Sequence, residues 1–452
     1  MGIEARALVG RTLSSLLPPE QYIRVQERLT KPMPGKIPVS LTLNGCEFLV
    51  LFEAQADYYI AEMEPVEGRQ ATFVELYQEL KFSMAAIESA RTSGEACAII
   101  ARELKTFSGF DKVMIYRFDG DWNGEVIAEE REPEMDAYFG LKFPASDIPR
   151  QARELYRTNP YRFIPDVNYT PIRVYPILNP RTHTFTDLSN SNLRSVAAVH
   201  IEYLRNMKLG ASMSTRILRN GVLWGLIACH HRTARFLSYQ TCAVFELLSH
   251  IISAKITAVE NTDAHAYEAT LHSQLRKIVE HISTHGDLLS GLQSQGEELR
   301  SLLRADGLCV VSNGRVVRSG LAPEDSAVRD LVYWLQSQAI TNLYVQTNLS
   351  SVYEHADAYA TTASGLMALP IQPEKGNFIL AFRQEAVQDV AWGGNPNEAI
   401  QFEPDRKAYH PRNSFRQWKQ TVLNTSLDWR PEETEIAEQF RRFVVQQTLN
   451  KS

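Results

Sequence analysis

The stretch ASMSTRILRNGVLWGLIACHH (211–231) decides the fold. Two strand-like runs, ASMSTRIL and VLWGLIACHH, flank Asn220-Gly221. Asn-Gly between such runs is the signature of a two-residue hairpin, so the strands pair antiparallel. Working outward, KVMIYRF (112–118) and GEVIAEE (124–130) add strands to the same sheet. Ahead of them a helical pattern runs from about 72 to 107, with Phe73, Leu76, Leu80, Met84 and Ile87 at helical spacing. Helices and an antiparallel sheet segregated in this way define an α+β domain.

The same reasoning extends to both ends. In VSLTL (39–43) Val39, Leu41 and Leu43 share one face, Asn44-Gly45 is a turn signal, and EFLVLFE (47–53) and Tyr58 to Met63 supply further strands. Short helices precede them. Three strands need more cover on their apolar face than this segment offers, so residues 1–65 read as a small, N-terminally short α+β unit. Residues 239–283 read as one long helix without Pro or Gly. Val244, Leu248, Ile251, Ile252, Ile256 and Val259 form a stripe that Tyr267, Leu271, Leu275, Ile278 and Ile282 continue. About 45 residues span on the order of 65 Å, which suits a helix joining two domains. Its stripe fits packing on each domain's core or a helix-to-helix dimer seam equally well. A third α+β region follows to about 445, with strands in GLCVVSNGRVV and NFILAFR and a Pro/Gly/Trp-rich stretch, 385–416, without clear periodicity. Such long irregular stretches tend to be functional.

Composition narrows the function. The chain has 452 residues, enough for about three domains. Lys plus Arg is 47 and Asp plus Glu 53, a net charge of −6 that argues against a nucleic-acid binder. Cys46, Cys97, Cys229, Cys242 and Cys309 contain no CxxC pair, so neither a disulfide framework nor a zinc site is expected, and the compartment reads as reducing. MGIEARALVG lacks the apolar core of a signal peptide, and Arg6 breaks the myristoylation pattern. The longest apolar runs, such as Leu223 to Cys229, fall short of a membrane span. A cytoplasmic protein without a membrane partner is expected. Phosphate-loop, GxSxG and HExxH motifs are absent, so no catalytic residue is assigned. His230-His231 is the one His pair, and neighbours on a strand face opposite ways.

FPASDIPRQARELY (143–156), LRSVAAVHIEYLRNM (193–207), LWGLIACHH (223–231), and VAWGGNP (390–396) with PRNSF (411–415) together resemble the phytochrome photoreceptors. The resemblance runs in the order PAS, GAF, PHY over nearly the whole chain. It implies three α+β domains: a partial PAS domain (1–65), a GAF domain (70–250) and a PHY domain (285–452). The connecting helix is 239–284 and the PHY tongue 385–416. In this family the GAF domain holds a linear tetrapyrrole whose C15=C16 bond isomerises in red and far-red light. The implied protein is a photoreceptor rather than an enzyme. Its expected partners are a bilin, a second copy joined through the long helices, and a downstream output domain or response regulator.

The resemblance also assigns residues. Arg162 and Arg194 match propionate-binding arginines, and Ser212 and Ser214 their hydroxyl partners. Asp147, with Ile148 and Pro149, matches the aspartate whose main-chain oxygen accepts from the pyrrole N–H groups. His200 corresponds to the histidine beside the inner pyrroles, and His230 to the one bonding the D-ring carbonyl. Tyr116, Phe143 and Tyr203 match the D-ring cage. Arg412 resembles the tongue arginine that pairs with Asp147, and Trp392 a tongue anchor. Simpler roles exist: ion pairs for the arginines, a helix N-cap for Asp147, core packing for the aromatics. Val199 stands where plant and cyanobacterial phytochromes carry their attachment Cys. No Cys precedes the PAS-like segment, where bacteriophytochromes attach biliverdin. Non-covalent biliverdin is therefore expected, and without an N-terminal segment to thread it, the loop 165–193 is expected to be slack. The alternative reading is a chromophore-less PAS-GAF scaffold or a sensor of another small ligand.

Overall fold

The computed structural model describes residues 4–30, 35–66, 73–284, 288–398, 400–402, 409–411 and 415–450. The chain divides into two compact units. One comprises residues 1–257 and 392–418, the other 258–391 and 419–452.

The first unit opens with helices α1 (Ala5–Leu8), α2 (Leu13–Leu16) and α3 (Pro19–Leu29). An antiparallel sheet follows in the order β1 (Ile37–Leu43), β2 (Cys46–Ala54), β3 (Tyr59–Pro65). Asn44 and Gly45 both take positive φ, as the hairpin requires. The apolar face carrying Val39, Leu41, Val50 and Phe52 finds its cover in Leu17 and in Val25 of α3.

The helical run expected over 72–107 is two helices, α4 (Phe73–Ser89) and α5 (Ser93–Ser108). The break has a local cause. Thr92 caps α5, its hydroxyl accepting from the Glu95 amide at 3.1 Å, and the Glu95 carboxylate turns back to the Arg91 amide at 2.8 Å. Gly109 ends α5 in the left-handed conformation.

The main sheet then builds from β4 (Lys112–Phe118), β5 (Gly124–Arg131), β6 (Lys142–Phe143), β7 (Tyr161–Ile164), β8 (Ala211–Arg219) and β9 (Val222–His231). Their spatial order is β6-β5-β4-β9-β8-β7. Helices α6 (Arg150–Thr158) and α7 (Ala198–Asn206) lie in the long β6-to-β8 excursion. Asn220 and Gly221 again both take positive φ.

The long helix α8 runs from Tyr239 to Thr284, 46 residues or roughly 70 Å. One 18-residue window of it is apolar enough by length and composition to cross a membrane, although no uninterrupted apolar run in it reaches that length. An average over 18 residues tolerates interspersed polar groups. The apolar side chains Phe245, Leu248, Ile252 and Ile256 are fully buried in the core of the main sheet.

The second unit takes the remainder of α8 and adds α9 (Leu288–Ser294), α10 (Gly296–Leu302), α11 (Asp325–Ser337), α12 (Ala360–Ala363) and α13 (Pro431–Asn450). Its sheet is β11 (Arg315–Gly320), β10 (Gly307–Ser312), β14 (Asn377–Arg383), β13 (Gly365–Gln372), β12 (Tyr344–Gln346), in that order. Leu271, Ile278 and Ile282 of α8 and Ile436 and Phe440 of α13 pack on one face. Residues 385–416 are not structureless. They hold β15 (Gln388–Gly393) and a hairpin of β16 (Ile400–Phe402) and β17 (Tyr409–Pro411), and β18 (Gln417–Val422) follows. The three-residue strands of that hairpin are too short to show a period of two.

Candidate functional site

Strand alternation sorts the main sheet into two faces. Val113, Ile115, Met213, Ile227 and Cys229 point into the helical layer with Ile100, Leu104, Phe245 and Leu248. The register puts Lys112 and Ser212 opposite His230, and Ser214 opposite both Ala228 and Arg162. The other face therefore gathers Arg162, Ser212, Ser214, His230 and Lys112. Cys229 is turned away from it, fully buried, and burial pushes its thiol up.

At the β7–β8 end the site is cationic. Arg162 donates to the Asn192 carbonyl at 3.1 Å and the Arg194 carbonyl at 2.6 Å. Burial, and then the charge of Arg194, pull its guanidinium down to about 10. Arg194 is lowered by burial in turn. An arginine whose charge is disfavoured by burial and by a second arginine forms a site that an anion would stabilise. Ser214 shares a 2.6 Å hydrogen bond with the Tyr156 hydroxyl at the end of α6.

The α7 side is aromatic and polar. His200 and Tyr203, one turn apart, stack with ring centroids 6.1 Å apart and planes 14° from parallel. The Tyr203 hydroxyl donates to Asp147 Oδ2 at 2.9 Å, and Phe415 meets the Tyr203 ring edge-on at 5.0 Å. Asp147 is not a helix cap: it ends a 3-10 turn (Ala145–Asp147), and Pro149 holds the N-cap position of α6. The Ile148 carbonyl accepts from Arg153 at 2.6 Å.

Both histidines are neutral at physiological pH. His200 is exposed by surface area, yet protein packs densely around its ring. Burial and the charge of Arg162 push it down to about 4. His230 is 7% exposed and lowered to about 3, first by burial, then by Lys112 and His200. Its Nδ1 has no hydrogen-bond partner among the described residues. A buried polar atom left unmatched costs about 1–3 kcal/mol of stability.

The remaining wall is aromatic. Tyr116 and Phe143 lie 6.1 Å apart, and Tyr138 meets Phe143 edge-on at 5.7 Å. A Cβ on Gly124 would fall 1.7 Å from the Tyr116 ring, so only glycine lets the ring lie there. The fully buried Lys112 ammonium sits 3.7 Å from the Tyr138 ring centre and donates to the Asp136 carbonyl. Burial brings it down to about 8. Trp392 pairs parallel with Lys142, which sets Gly393 against the Phe143 ring.

The sequence-derived residues thus fall into neighbouring groups: Arg162, Arg194 and Ser214; Ser212 with His230; His200, Tyr203 and Asp147; Tyr116 with Phe143. Arg412 lies outside the described residues. Tyr156 and Phe415 were not singled out, although each closes a quoted motif. Nothing in the local pattern points to Lys112, because a lysine opening a strand reads as a surface group.

Comparisons with known proteins bear on the family of the chain. The GAF domain family matches residues 93–256, and the phytochrome region family (PHY) residues 271–452. A Stigmatella aurantiaca phytochrome photosensory core module is 35% identical and superposes with a TM-score of 0.84, covering 100% of this chain and 91% of that one. A bacteriophytochrome from R. palustris gives 32% and 0.84, covering 97% and 89%. Cyanobacterial phytochrome B of Nostoc is 35% identical over 100% of this chain and 61% of its own length. The chain belongs to the phytochrome family. Within that family it is a photosensory module, and it spans about three-fifths of the length of the curated cyanobacterial relatives it matches.

Proposed function

We propose that the chain is a red/far-red photoreceptor that holds biliverdin non-covalently on the polar face of the main sheet. The observation that carries this is the joint presence of two crowded arginines and the buried, neutral His230 on one face of the main sheet. An anionic propionate satisfies the first, and a ring carbonyl accepts from a ring N–H of the second. When bound, the bilin supplies a C15=C16 double bond that light isomerises. Arg162 and Arg194 with Ser212 and Ser214 bind and orient the carboxylates. His200, neutral beside Tyr203, holds or accepts a proton through its ring. Tyr116, Phe143 and Tyr203 shape the cage and exclude water, and Asp147, Ile148 and Pro149 line the mouth.

The output path runs through the tongue. Phe415 on Tyr203, and Trp392 on Lys142, couple cage residues to residues 392–418. Asp147 and Arg412 form the switch contact in this reading. The assignment of 1–65 to a PAS domain, 70–250 to GAF and 285–452 to PHY belongs to the same proposal. So do dimerisation through the long helices, a downstream output partner, and the lack of enzymatic activity.

Purified protein is mixed with biliverdin, and separately with phycocyanobilin, and absorbance is read before and after red light. A red band with biliverdin that bleaches reversibly supports the reading. No red band with either pigment overturns it. Acid urea should then free the pigment, and pigment retained on the chain would refute non-covalent attachment.

A further inference from the structure

Glu62, on β3 of the N-terminal sheet, is 5% exposed. A buried carboxylate is tolerated only with donors around it. Lys36 forms an ion pair with one oxygen. The other oxygen takes two hydrogen bonds from the loop ahead of α7, from the Ser191 hydroxyl at 2.8 Å and the Leu193 amide at 2.7 Å. That loop is not slack at this end.

The same stretch of loop, 191–194, also carries the carbonyls that hold the arginines. The Ser191 carbonyl accepts from Arg194 at 2.8 Å, Asn192 and Arg194 carbonyls accept from Arg162, and Asn192 Nδ2 donates to the Tyr161 hydroxyl at 2.7 Å. Residues 191–194 therefore hang from Glu62 on one side and fix Arg162 and Arg194 on the other. The geometry points to Glu62 as a positioning residue that sets the ligand-carboxylate cradle from a different sheet. It makes the site selective for an acidic ligand over its neutral ester. This rests on the bilin reading and adds a residue outside the main sheet to it.

Two effects oppose each other. Glu62 holds the arginines in place, but its charge also offsets theirs. If placement dominates, Glu62→Gln weakens carboxylate binding. If charge dominates, the substitution tightens it. Loss of one charge-assisted hydrogen bond corresponds to about tenfold in affinity, whereas screening through partly hydrated surroundings is smaller, so placement should win. Ser191→Ala removes one anchor with no change of charge and separates the two effects.

The test measures binding of biliverdin and of biliverdin dimethyl ester to wild type, Glu62→Gln and Ser191→Ala. It also measures hydrogen exchange at the Leu193 amide without pigment. Expected are faster exchange in both variants and about a tenfold fall in biliverdin affinity, with the ester changed less than about threefold. General unfolding would weaken both pigments equally and so refute a role in selectivity. Wild type that binds, with variants keeping the wild-type ratio of the two pigments or the wild-type exchange rate, overturns the role of Glu62 alone. Wild type that binds neither pigment fails the photoreceptor reading itself and leaves Glu62 nothing to position.

Discussion

His230 should make the main sheet acid-sensitive by an amount that can be worked out. Its ring is buried and held at about 3, against 6.5 for an ordinary histidine. A histidine depressed by folding contributes its full stability above the unfolded value. That stability is lost as pH falls below 6.5, because the unfolded chain takes up a proton that the folded chain refuses. At pH 5 the unfolded imidazole is almost fully protonated and the folded one neutral, so the loss relative to pH 8 is about 2 kcal/mol. The figure barely depends on the folded value so long as that lies well below 5. Glu and Asp side chains add their own pH dependence, but it cancels between wild type and variant. The perturbation is His230→Gln, compared by hydrogen exchange of the slowest β9 amides at pH 8 and pH 5 without pigment. Wild type should lose about 2 kcal/mol more protection than the variant on acidification. His200 acts in the same sense but more weakly, since it is more exposed. An equal acid loss in wild type and variant would refute a neutral, desolvated His230.

Arg383 in the second unit donates to the Arg304, Leu427 and Asp428 carbonyls and to Glu433 at 2.9 Å, with Trp429 stacked 4.3 Å away. Arg383→Met should destabilise that unit by about 3–5 kcal/mol in urea unfolding, whereas Tyr267→Phe, losing the bond to Glu433 and the one from Arg304, should cost only about 1–2 kcal/mol. Equal effects would show that the ion pair is not the anchor. Gly124→Ala should displace the Tyr116 ring, lower stability by about 1–3 kcal/mol and shift the bound-pigment spectrum; an unshifted spectrum would remove Tyr116 from the cage. Cys46 is exposed and the other four cysteines are buried, so a disulfide reagent should titrate one thiol in the native protein and five after denaturation. More than one fast thiol would contradict the packing of Cys97, Cys229, Cys242 or Cys309.

The sequence made the elements legible wherever one strong local signal ruled. Asn-Gly pairs placed two hairpins, and an uninterrupted helical stripe placed α8 to within a residue. The α4–α5 break was missed although Thr92 and Glu95 spell a capping signal, because the apolar spacing continues across it. The polar face of the site was readable from alternation, which already separated Cys229 from His230. Glu62 was not, since its partners Ser191 and Leu193 lie about 130 residues further along. Nor was the binding of Phe415 to Tyr203, because nothing short-range joins an irregular stretch to a helix two hundred residues earlier.

The partition of the chain has a consequence for its synthesis. The polypeptide passes between the two compact units at 257/258, 391/392 and 418/419. With a single connection a ribosome could finish the first unit before starting the second. With three, each unit is assembled from two separated stretches of chain. The first unit also stays short of its last segment until residue 418 has been made. A fragment ending at 257 would keep the main sheet but lack the strand partner of Lys142 and the ring on Tyr203. On the photoreceptor reading proposed above, it would be a holder for a ligand without the means to report one.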